Sequence, residues 1–269
     1  EIYFRDAKMY GRTDIGGRDK RNEDAVYLNP EKRLIAGADG MGGHHYGDLA
    51  AGFTLANVHK NIGQGIPLEG IAESACYDLR MSFMDADIDP DELGMFFAPG
   101  ATLGIIQEHD GMLDGFIIGD YKALIIDVTD KEILCVSKDQ SELQALIDGG
   151  IIEEQARAKY PDAQNLLSNS VMITENNLLE QPPAYFKQNI PKGHTLVSIT
   201  YSDGISDALS PEVILQMVLE EFAKEGDIRG LGQRVSEEAK KTQQDEAAKG
   251  SIGKAHPDNV SIAIMVSEG

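Results

Sequence analysis

Short apolar runs separated by tight turns constrain the fold of this chain more than any other feature. Turns such as Glu108-His109-Asp110-Gly111 join neighbouring runs too closely for a helical crossover, so the sheet is expected to be largely antiparallel. A doubly wound α/β fold is therefore disfavoured. Eight runs have the length and composition of strands: residues 25–28, 34–38, 101–107, 112–118, 123–128, 133–136, 195–201 and 260–266.

Four further segments have apolar residues at helical spacing: residues 47–62, 68–84, 211–224 and 231–242. No internal repeat stands out, and no low-complexity linker divides the chain. We therefore expect one domain over residues 1–269. Residues 142–191 are polar and rich in turn residues, and we expect them to form a flap-like insertion that carries short helices over the sheets.

Charge and hydropathy exclude several kinds of partner. The chain has 24 Lys and Arg against 45 Asp and Glu, a net charge of −21, which repels nucleic acid and anionic membranes. No window holds the roughly 18 uninterrupted apolar residues of a membrane span, and the first residues show no secretory or organelle-targeting pattern. Cys76 and Cys135 are the only cysteines and suit a reducing compartment. We therefore expect a cytoplasmic monomer.

Carboxylates stand at the ends of four predicted strands. Asp39, Asp120 and Asp203 follow apolar runs, and Asp258 opens the last one. Carboxylates gathered at buried strand ends repel one another and have raised pKa values unless cations neutralise them. Because all the donors are oxygens, Mg²⁺ or Mn²⁺ is favoured over Zn²⁺. The alternative for any single Asp is that it only caps a turn.

Two other kinds of phosphate chemistry do not fit the sequence. The segment Gly40-Met41-Gly42 lacks the third glycine of the dinucleotide fingerprint, and it lacks the Lys-Ser/Thr pair of a P-loop. Neither Cys76 nor Cys135 has the arginine six positions later that cysteine phosphatases require. Nucleotide binding and thiol catalysis are therefore set aside.

A series of motifs runs along most of the chain: Thr13-Asp14-Ile15-Gly16 with Arg21-Asn22-Glu23-Asp24-Ala25, Asp39-Gly40-Met41-Gly42-Gly43-His44, Gly100-Ala101-Thr102, Gly119-Asp120, Lys138-Asp139-Gln140-Ser141, Ser202-Asp203-Gly204-Ile205-Ser206-Asp207, and Asp258-Asn259-Val260-Ser261. Their order resembles that of the metal-dependent protein Ser/Thr phosphatases of type 2C, in a bacterial-type member. The resemblance implies an α+β fold, a four-layer α-β-β-α sandwich of two antiparallel sheets flanked by helices, with a metal site at one end.

The resemblance also implies a function and a role for each site residue. It implies a Mg²⁺- or Mn²⁺-dependent phosphatase that acts on phosphorylated proteins, in which a hydroxide shared by two metals attacks phosphorus without a phosphoenzyme. The implied roles are a bridge between the metals by Asp39, one metal held by Glu23 and the Gly40 carbonyl, the other held by Asp203 and Asp258, a water oriented by Asp24, and a weaker third metal held by Asp120 and Asp207.

Departures from the family pattern leave two alternatives open. Tyr121-Lys122 stands where many members have Ser-Arg, Gln140 replaces a His, and Met41 replaces the His that many eukaryotic members carry. One alternative is a binding module that kept the fold and lost catalysis, although Glu23, Asp39, Asp203 and Asp258 are all present. The other is a hydrolase of small phosphoesters, which would use the same ligands.

The phosphate-binding arginine of the family has no direct counterpart, because its position is Asp19. Arg21 keeps the side-chain parity of position 19 in an extended strand. Arg18 lies one residue before position 19, but Gly16-Gly17 allows a bulge that would turn the Arg18 side chain toward the site. We expect Arg18 to bind phosphate, with Arg21 as the second candidate.

Overall fold

The computed structural model describes residues 1–17, 21–41, 46–89, 98–153, 166–224, 226–248 and 257–269. The strands among these residues are β1 (Ile2–Phe4), β2 (Met9–Asp14), β3 (Asp24–Asn29), β4 (Leu34–Met41), β5 (Gly100–Ala101), β6 (Leu103–His109), β7 (Met112–Ile118), β8 (Lys122–Asp127), β9 (Glu132–Val136), β10 (Val171–Met172), β11 (Ala184–Asn189), β12 (Thr195–Tyr201) and β13 (Val260–Glu268). The helices are α1 (Gly47–Gly63), α2 (Leu68–Asp85), α3 (Glu142–Asp148), α4 (Asp203–Ser206), α5 (Pro211–Phe222) and α6 (Ile228–Ala248).

The strands form two antiparallel sheets. One sheet has the order β1-β2-β13-β12-β8-β9. The other has the order β10-β5-β4-β6-β7-β11, with β3 also paired to β4. The tight turn at Asp110-Gly111, where both residues have positive φ, joins β6 to β7 as an antiparallel hairpin.

Three apolar layers separate four layers of secondary structure. Side chains of α1 and α2, such as Leu55 and Leu79, pack against the β4–β7 sheet. Inward-facing residues of both sheets, including Ile117 and Met265, fill the layer between them. Residues of α5 and α6 cover the outer face of the other sheet. The predicted α-β-β-α sandwich is confirmed.

The eight predicted strands are present, but the sequence pattern missed others. The run 101–107 is two strands, because Thr102 lies outside the ladder between β5 and β6, each of which pairs with β4. The strands β1, β2, β10 and β11 were not predicted. β11 lies inside the predicted insertion and pairs along β7 as the outermost strand of its sheet. Its residues are alternately exposed, and only the first three are apolar or aromatic, so it lacks the longer apolar run that marks an interior strand.

The predicted helices differ from the observed ones mainly at their ends. Helix α6 begins at Ile228 and ends at Ala248, and is longer than the predicted 231–242. Helix α5 begins with Pro211, as predicted, and Ser210 caps it by accepting a hydrogen bond from the Val213 N–H. No helix in the described part of the chain is both long and apolar enough to span a membrane.

Candidate metal centre

The β3–β4 hairpin brings two of the predicted site residues together. Asp24 opens β3 and is the direct cross-strand partner of Asp39 near the end of β4. Asp24 is buried and Asp39 is partly buried. Thr102 holds the Asp39 backbone on the other side, because its hydroxyl accepts from the Asp39 N–H at 3.1 Å and its N–H donates to the Asp39 carbonyl at 2.9 Å. The two carboxylates therefore occupy a fixed place at one end of the sandwich.

Glu23 and the Gly40 carbonyl converge beside the start of α1. A Cβ atom at position 47 would lie 2.7 Å from Glu23 Oε1 and 3.1 Å from the Gly40 oxygen. A Cβ atom at position 40 would lie 1.9 Å from the Gly47 carbonyl oxygen. Glycine is therefore required at both positions for this close approach. Glu23 Oε1 and the Gly40 carbonyl oxygen therefore both lie within 3.1 Å of one point beside the start of α1.

Asp203 and Asp258 approach from the other sheet. Asp203 follows β12 and opens α4, and Asp258 precedes β13, the antiparallel neighbour of β12. Gln243 of α6 connects their backbones: its amide donates to the Gly204 carbonyl at 2.9 Å, and its oxygen accepts from the Asp258 N–H at 3.2 Å. Asp203 and Asp258 are thereby held at the same end of the sandwich as Asp24 and Asp39.

Asn259 has a role that the sequence analysis did not assign. It is almost fully buried. Its side-chain oxygen accepts from the Glu23 N–H at 2.9 Å, and its amide donates to the carbonyls of Ile15 and Arg21 at 2.9 and 3.0 Å. Asn259 thus ties the Glu23 segment to β13. The only sequence signal for this role of Asn259 was its position between Asp258 and the last strand.

The acids at this end of the sandwich lie near enough to shift one another's pKa values. We call Glu23, Asp24, Asp39, Asp120, Asp203, Asp207 and Asp258 the acidic cluster. Burial, and then the charges of Asp24, Asp203, Asp258 and Asp120, raise the pKa of Asp39 well above its ordinary value. Burial and the Asp203 charge raise the pKa of Asp24 to about 7, against hydrogen bonds from Ser202 and Ser261 that lower it.

Two carboxylate oxygens of the cluster are buried without a hydrogen-bond partner, namely Asp24 Oδ1 and Asp203 Oδ1. A buried carboxylate oxygen is costly to leave unsatisfied, and a bound cation or its water would satisfy it. The raised pKa values have the same physical origin, because uncompensated carboxylates repel one another. The residues present therefore fit a site for hard divalent cations.

Asp120 and Asp207 lie beside Asp203, as the resemblance implied. Burial and the Asp203 charge raise the pKa of Asp120 to about 8, and Asp207 raises it further while Lys122 lowers it. The Asp207 N–H donates to the Asp203 carbonyl at 2.8 Å in α4. The acids predicted to be metal ligands therefore lie at the same end of the sandwich, but among the described residues no three of them bring their ligand atoms within 4.8 Å of one another.

Lys122 and Gln140, which depart from the family pattern, both contact other residues of the chain. Lys122 forms an ion pair with Asp139, and both side chains are largely buried. Gln140 accepts from the Gly119 N–H at 3.2 Å and donates to the Pro182 carbonyl at 2.8 Å. The Gln140 contacts connect the loop at Asp120 to the predicted insertion.

Of the two arginine candidates, only Arg21 lies among the described residues. The Arg21 guanidinium lies 3.9 Å from Asp48 in the first turn of α1, and both side chains are exposed. Arg18 lies outside the described residues, as do Gly42, Gly43 and His44 of the second motif. The choice between the arginines stays a prediction.

A second acidic group lies at the other end of β8, formed by Asp127, Asp130 and His194. Of the residues that the structure describes, these three bring their ligand atoms within 4.8 Å of one another. Asp127 is already bonded, because one oxygen accepts from the Thr129 and Asp130 N–H groups and the other contacts His194 Nδ1 at 2.6 Å. We call this group the Asp127 turn, and its hydrogen bonds account for its geometry.

Comparisons with known proteins agree with this geometry. No family model matches the sequence. The chain is 28% identical over 208 residues to the serine/threonine protein phosphatase PstP of Mycobacterium tuberculosis; the match covers 76% of this chain and 37% of PstP. It is 22% identical to a protein of Streptococcus pyogenes named as a phosphatase of type 2C, over 97% of this chain and 98% of that protein. The chain thus spans little more than a third of PstP.

Solved structures give the same fold. The catalytic domain of PstP in complex with two manganese ions has a TM-score of 0.67 and 25% identity, over 97% of this chain and 98% of that one. The phosphatase Stp1 of Staphylococcus aureus has a TM-score of 0.72 and 19% identity, over 98% and 96%. The fold class and the resemblance to bacterial type 2C Ser/Thr phosphatases are therefore confirmed.

Proposed function

We propose that this protein hydrolyses phosphoserine and phosphothreonine in proteins with the help of Mn²⁺ or Mg²⁺. The observation that carries the proposal is the acidic cluster, in which raised carboxyl pKa values and unpartnered oxygens occur at one end of the type 2C fold. The named relatives that are protein Ser/Thr phosphatases support the reaction class.

The cluster supplies ligands for two cations and for a weaker third. Asp39 would bridge the first two, Glu23 and the Gly40 carbonyl would complete one site, and Asp203 with Asp258 would complete the other. Asp120 and Asp207 would hold the third with Asp203. When bound, such cations lower the pKa of water toward about 7 and neutralise charge on phosphoryl oxygens. The manganese complex of the PstP catalytic domain supports two ions.

Asp24 is the residue of this chain best placed to orient the attacking water. Its Oδ2 atom accepts from the Ser202 hydroxyl at 2.8 Å, while its Oδ1 atom has no partner in the protein. Oδ1 can therefore accept a hydrogen bond from a water in the site. Since water activated by divalent cations needs no nucleophilic side chain, water is the nucleophile we propose, and no phosphoenzyme forms.

The substrate we propose is a phosphorylated segment of another protein. The net charge of −21 favours basic segments through long-range attraction. A hydrolase of small phosphoesters would use the same cluster, and a binding module would keep the fold without turnover.

Release of inorganic phosphate from matched phosphoserine, phosphothreonine and phosphotyrosine peptides, with Mn²⁺ and with EDTA, tests the proposal. We expect Mn²⁺-dependent release from the first two peptides. Turnover of p-nitrophenyl phosphate without turnover of any peptide would favour the small-phosphoester alternative. No turnover of any substrate would favour the binding module.

A further inference from the structure

Tyr121 occupies an unusual place next to the acidic cluster. It follows Asp120 directly and precedes β8, and it is completely buried between the two sheets. Its ring lies over Gly37 of β4 and Gly104 of β6, which are cross-strand partners. A Cβ atom at position 37 would lie 2.0 Å from the Tyr121 hydroxyl oxygen, and one at position 104 would lie 2.6 Å from a ring carbon. The glycine pair thus leaves a slot that the tyrosine ring fills.

The Tyr121 hydroxyl is directed at Ser261 of β13. Its oxygen lies 2.9 Å from Ser261 Oγ, and both residues are buried. The Ser261 N–H donates to Ser202 Oγ at 3.0 Å, and the Ser202 hydroxyl donates to Asp24 Oδ2 at 2.8 Å. Ser261 also interacts with Asp24 through its own hydroxyl. A continuous polar path therefore runs from Tyr121 to the carboxylate of Asp24.

The direction of these hydrogen bonds follows from the number of protons. A carboxylate only accepts, so the Ser202 hydroxyl donates to Asp24, and because the Ser261 hydroxyl also lowers the pKa of Asp24, we assign its proton to the Asp24 side. Ser261 Oγ is then free to accept, and the Tyr121 hydroxyl donates to it. This arrangement fixes the Ser261 hydroxyl on the side of Asp24 in a layer that is otherwise largely apolar.

We propose that Tyr121 is a positioning residue for Asp24, acting through Ser261 and Ser202. The inference rests on the proposed function, in which Asp24 orients the attacking water and is not a metal ligand. Loss of the Tyr121 hydroxyl should therefore slow turnover and leave metal affinity unchanged. A tyrosine that only fills space between the sheets would need its ring and not its hydroxyl.

The test compares Tyr121→Phe with the wild-type chain, both loaded with Mn²⁺ and assayed on p-nitrophenyl phosphate. We expect kcat to fall about tenfold, as is typical when a residue supporting a site is removed. KM and the Mn²⁺ dissociation constant from calorimetry should each change less than about twofold. Unchanged kcat in Tyr121→Phe would overturn the positioning role of Tyr121 and leave the proposed function standing. Absence of turnover in the wild-type chain would overturn the proposed function, on which that role rests.

Two further variants separate positioning from a general effect on stability. Ser261→Ala should lower kcat by a similar factor, and adding Tyr121→Phe to it should cause little further loss, because both act on the same path. Ser261→Thr keeps a hydroxyl and should restore most of the activity. Independent, multiplicative losses in the double variant would overturn the path through Ser261.

Tyr10→Phe is the matched control. Tyr10 is equally buried, and its ring also lies over a glycine, Gly232, but in the layer beneath α6. We expect wild-type kcat from it. A tenfold loss there as well would show that any buried tyrosine hydroxyl affects turnover and would overturn the specific role of Tyr121.

Discussion

Asp24 and Asp39 face each other directly across the β3–β4 hairpin. Like charges at directly opposed positions of an antiparallel pair destabilise the sheet, and here burial adds to the repulsion. The close pair of carboxylates lowers the stability of the metal-free protein. Binding of cations at this site would offset that cost. The pair therefore connects the stability of the protein to its proposed chemistry.

This connection predicts an unusual dependence of stability on pH in the absence of metal. The pKa values of Asp24 and Asp120 are raised to about 7 and about 8 by burial and by neighbouring carboxylates, chiefly Asp203. A carboxyl group whose pKa is raised on folding contributes stability that is complete below its ordinary pKa, 3.8, and is lost as pH rises through the folded value. In EDTA, the melting temperature should therefore fall as pH rises from about 4 to about 8 and level off above that.

Saturating Mn²⁺ should remove this decline, because the cations favour the ionised carboxylates. Asp24→Asn should make the decline shallower in EDTA. Thermal denaturation at several pH values, with EDTA and with Mn²⁺, measures both effects. Parallel pH profiles under the two conditions would contradict the account.

Asp120→Ala tests the proposed third metal. Asp120 lies beside Asp203 and Asp207 but is not needed for the other two ions in the proposed arrangement. Calorimetry with Mn²⁺ should still detect two tight sites, while turnover of phosphopeptides falls. Loss of a tight site would instead assign Asp120 to the principal pair.

Gly37→Ala tests the slot beneath Tyr121. The added methyl group would meet the buried Tyr121 ring and hydroxyl, so the free energy of unfolding should fall by about 1–3 kcal/mol. The cost should shrink in a Tyr121→Ala background, where the ring is absent. Gly52→Ala is the control, because position 52 is an exposed site in α1 with open space around it, and alanine favours the helix. Urea denaturation giving the same loss in both backgrounds would exclude a clash with Tyr121.

Arg18→Ala and Arg21→Ala test which arginine binds the phosphoryl group. A guanidinium that binds phosphate as a bidentate donor contributes to substrate affinity and not to metal affinity. We expect Arg18→Ala to raise KM for phosphopeptides and Arg21→Ala to have a much smaller effect, because Arg21 lies near Asp48. Mn²⁺ calorimetry on both variants is the control. The opposite ranking would assign phosphate binding to Arg21.

The sequence predicted the fold well where local pattern and motif agreed. The interior strands β7 and β12 begin and end at the predicted residues, because their apolar runs are bounded by turns. The edge strand β11 was missed because it is extended through its pairing with β7, and no local sequence pattern shows that pairing. Asp39, Asp120 and Asp203 were predicted from their places after strands, whereas Glu23, Asp24 and Asp207 were predicted only from the family resemblance. The partners of Asp24 were not predicted. The contacts of Tyr121 with Ser261 and Gly37 join residues distant in sequence, and only the packed sheets bring them together.

The central claim is that Asp39 would be a ligand shared by two divalent cations; in two-metal sites such cations lie about 3.5–4 Å apart. Calorimetric titration of Mn²⁺ into wild-type, Asp39→Asn and Asp130→Asn chains tests it most directly, with phosphopeptide turnover measured on the same samples. The account predicts that Asp39→Asn loses most Mn²⁺ affinity and nearly all turnover, while Asp130→Asn, in the Asp127 turn, retains both. Two tightly bound ions and wild-type turnover in Asp39→Asn, or loss of binding in Asp130→Asn alone, would contradict it.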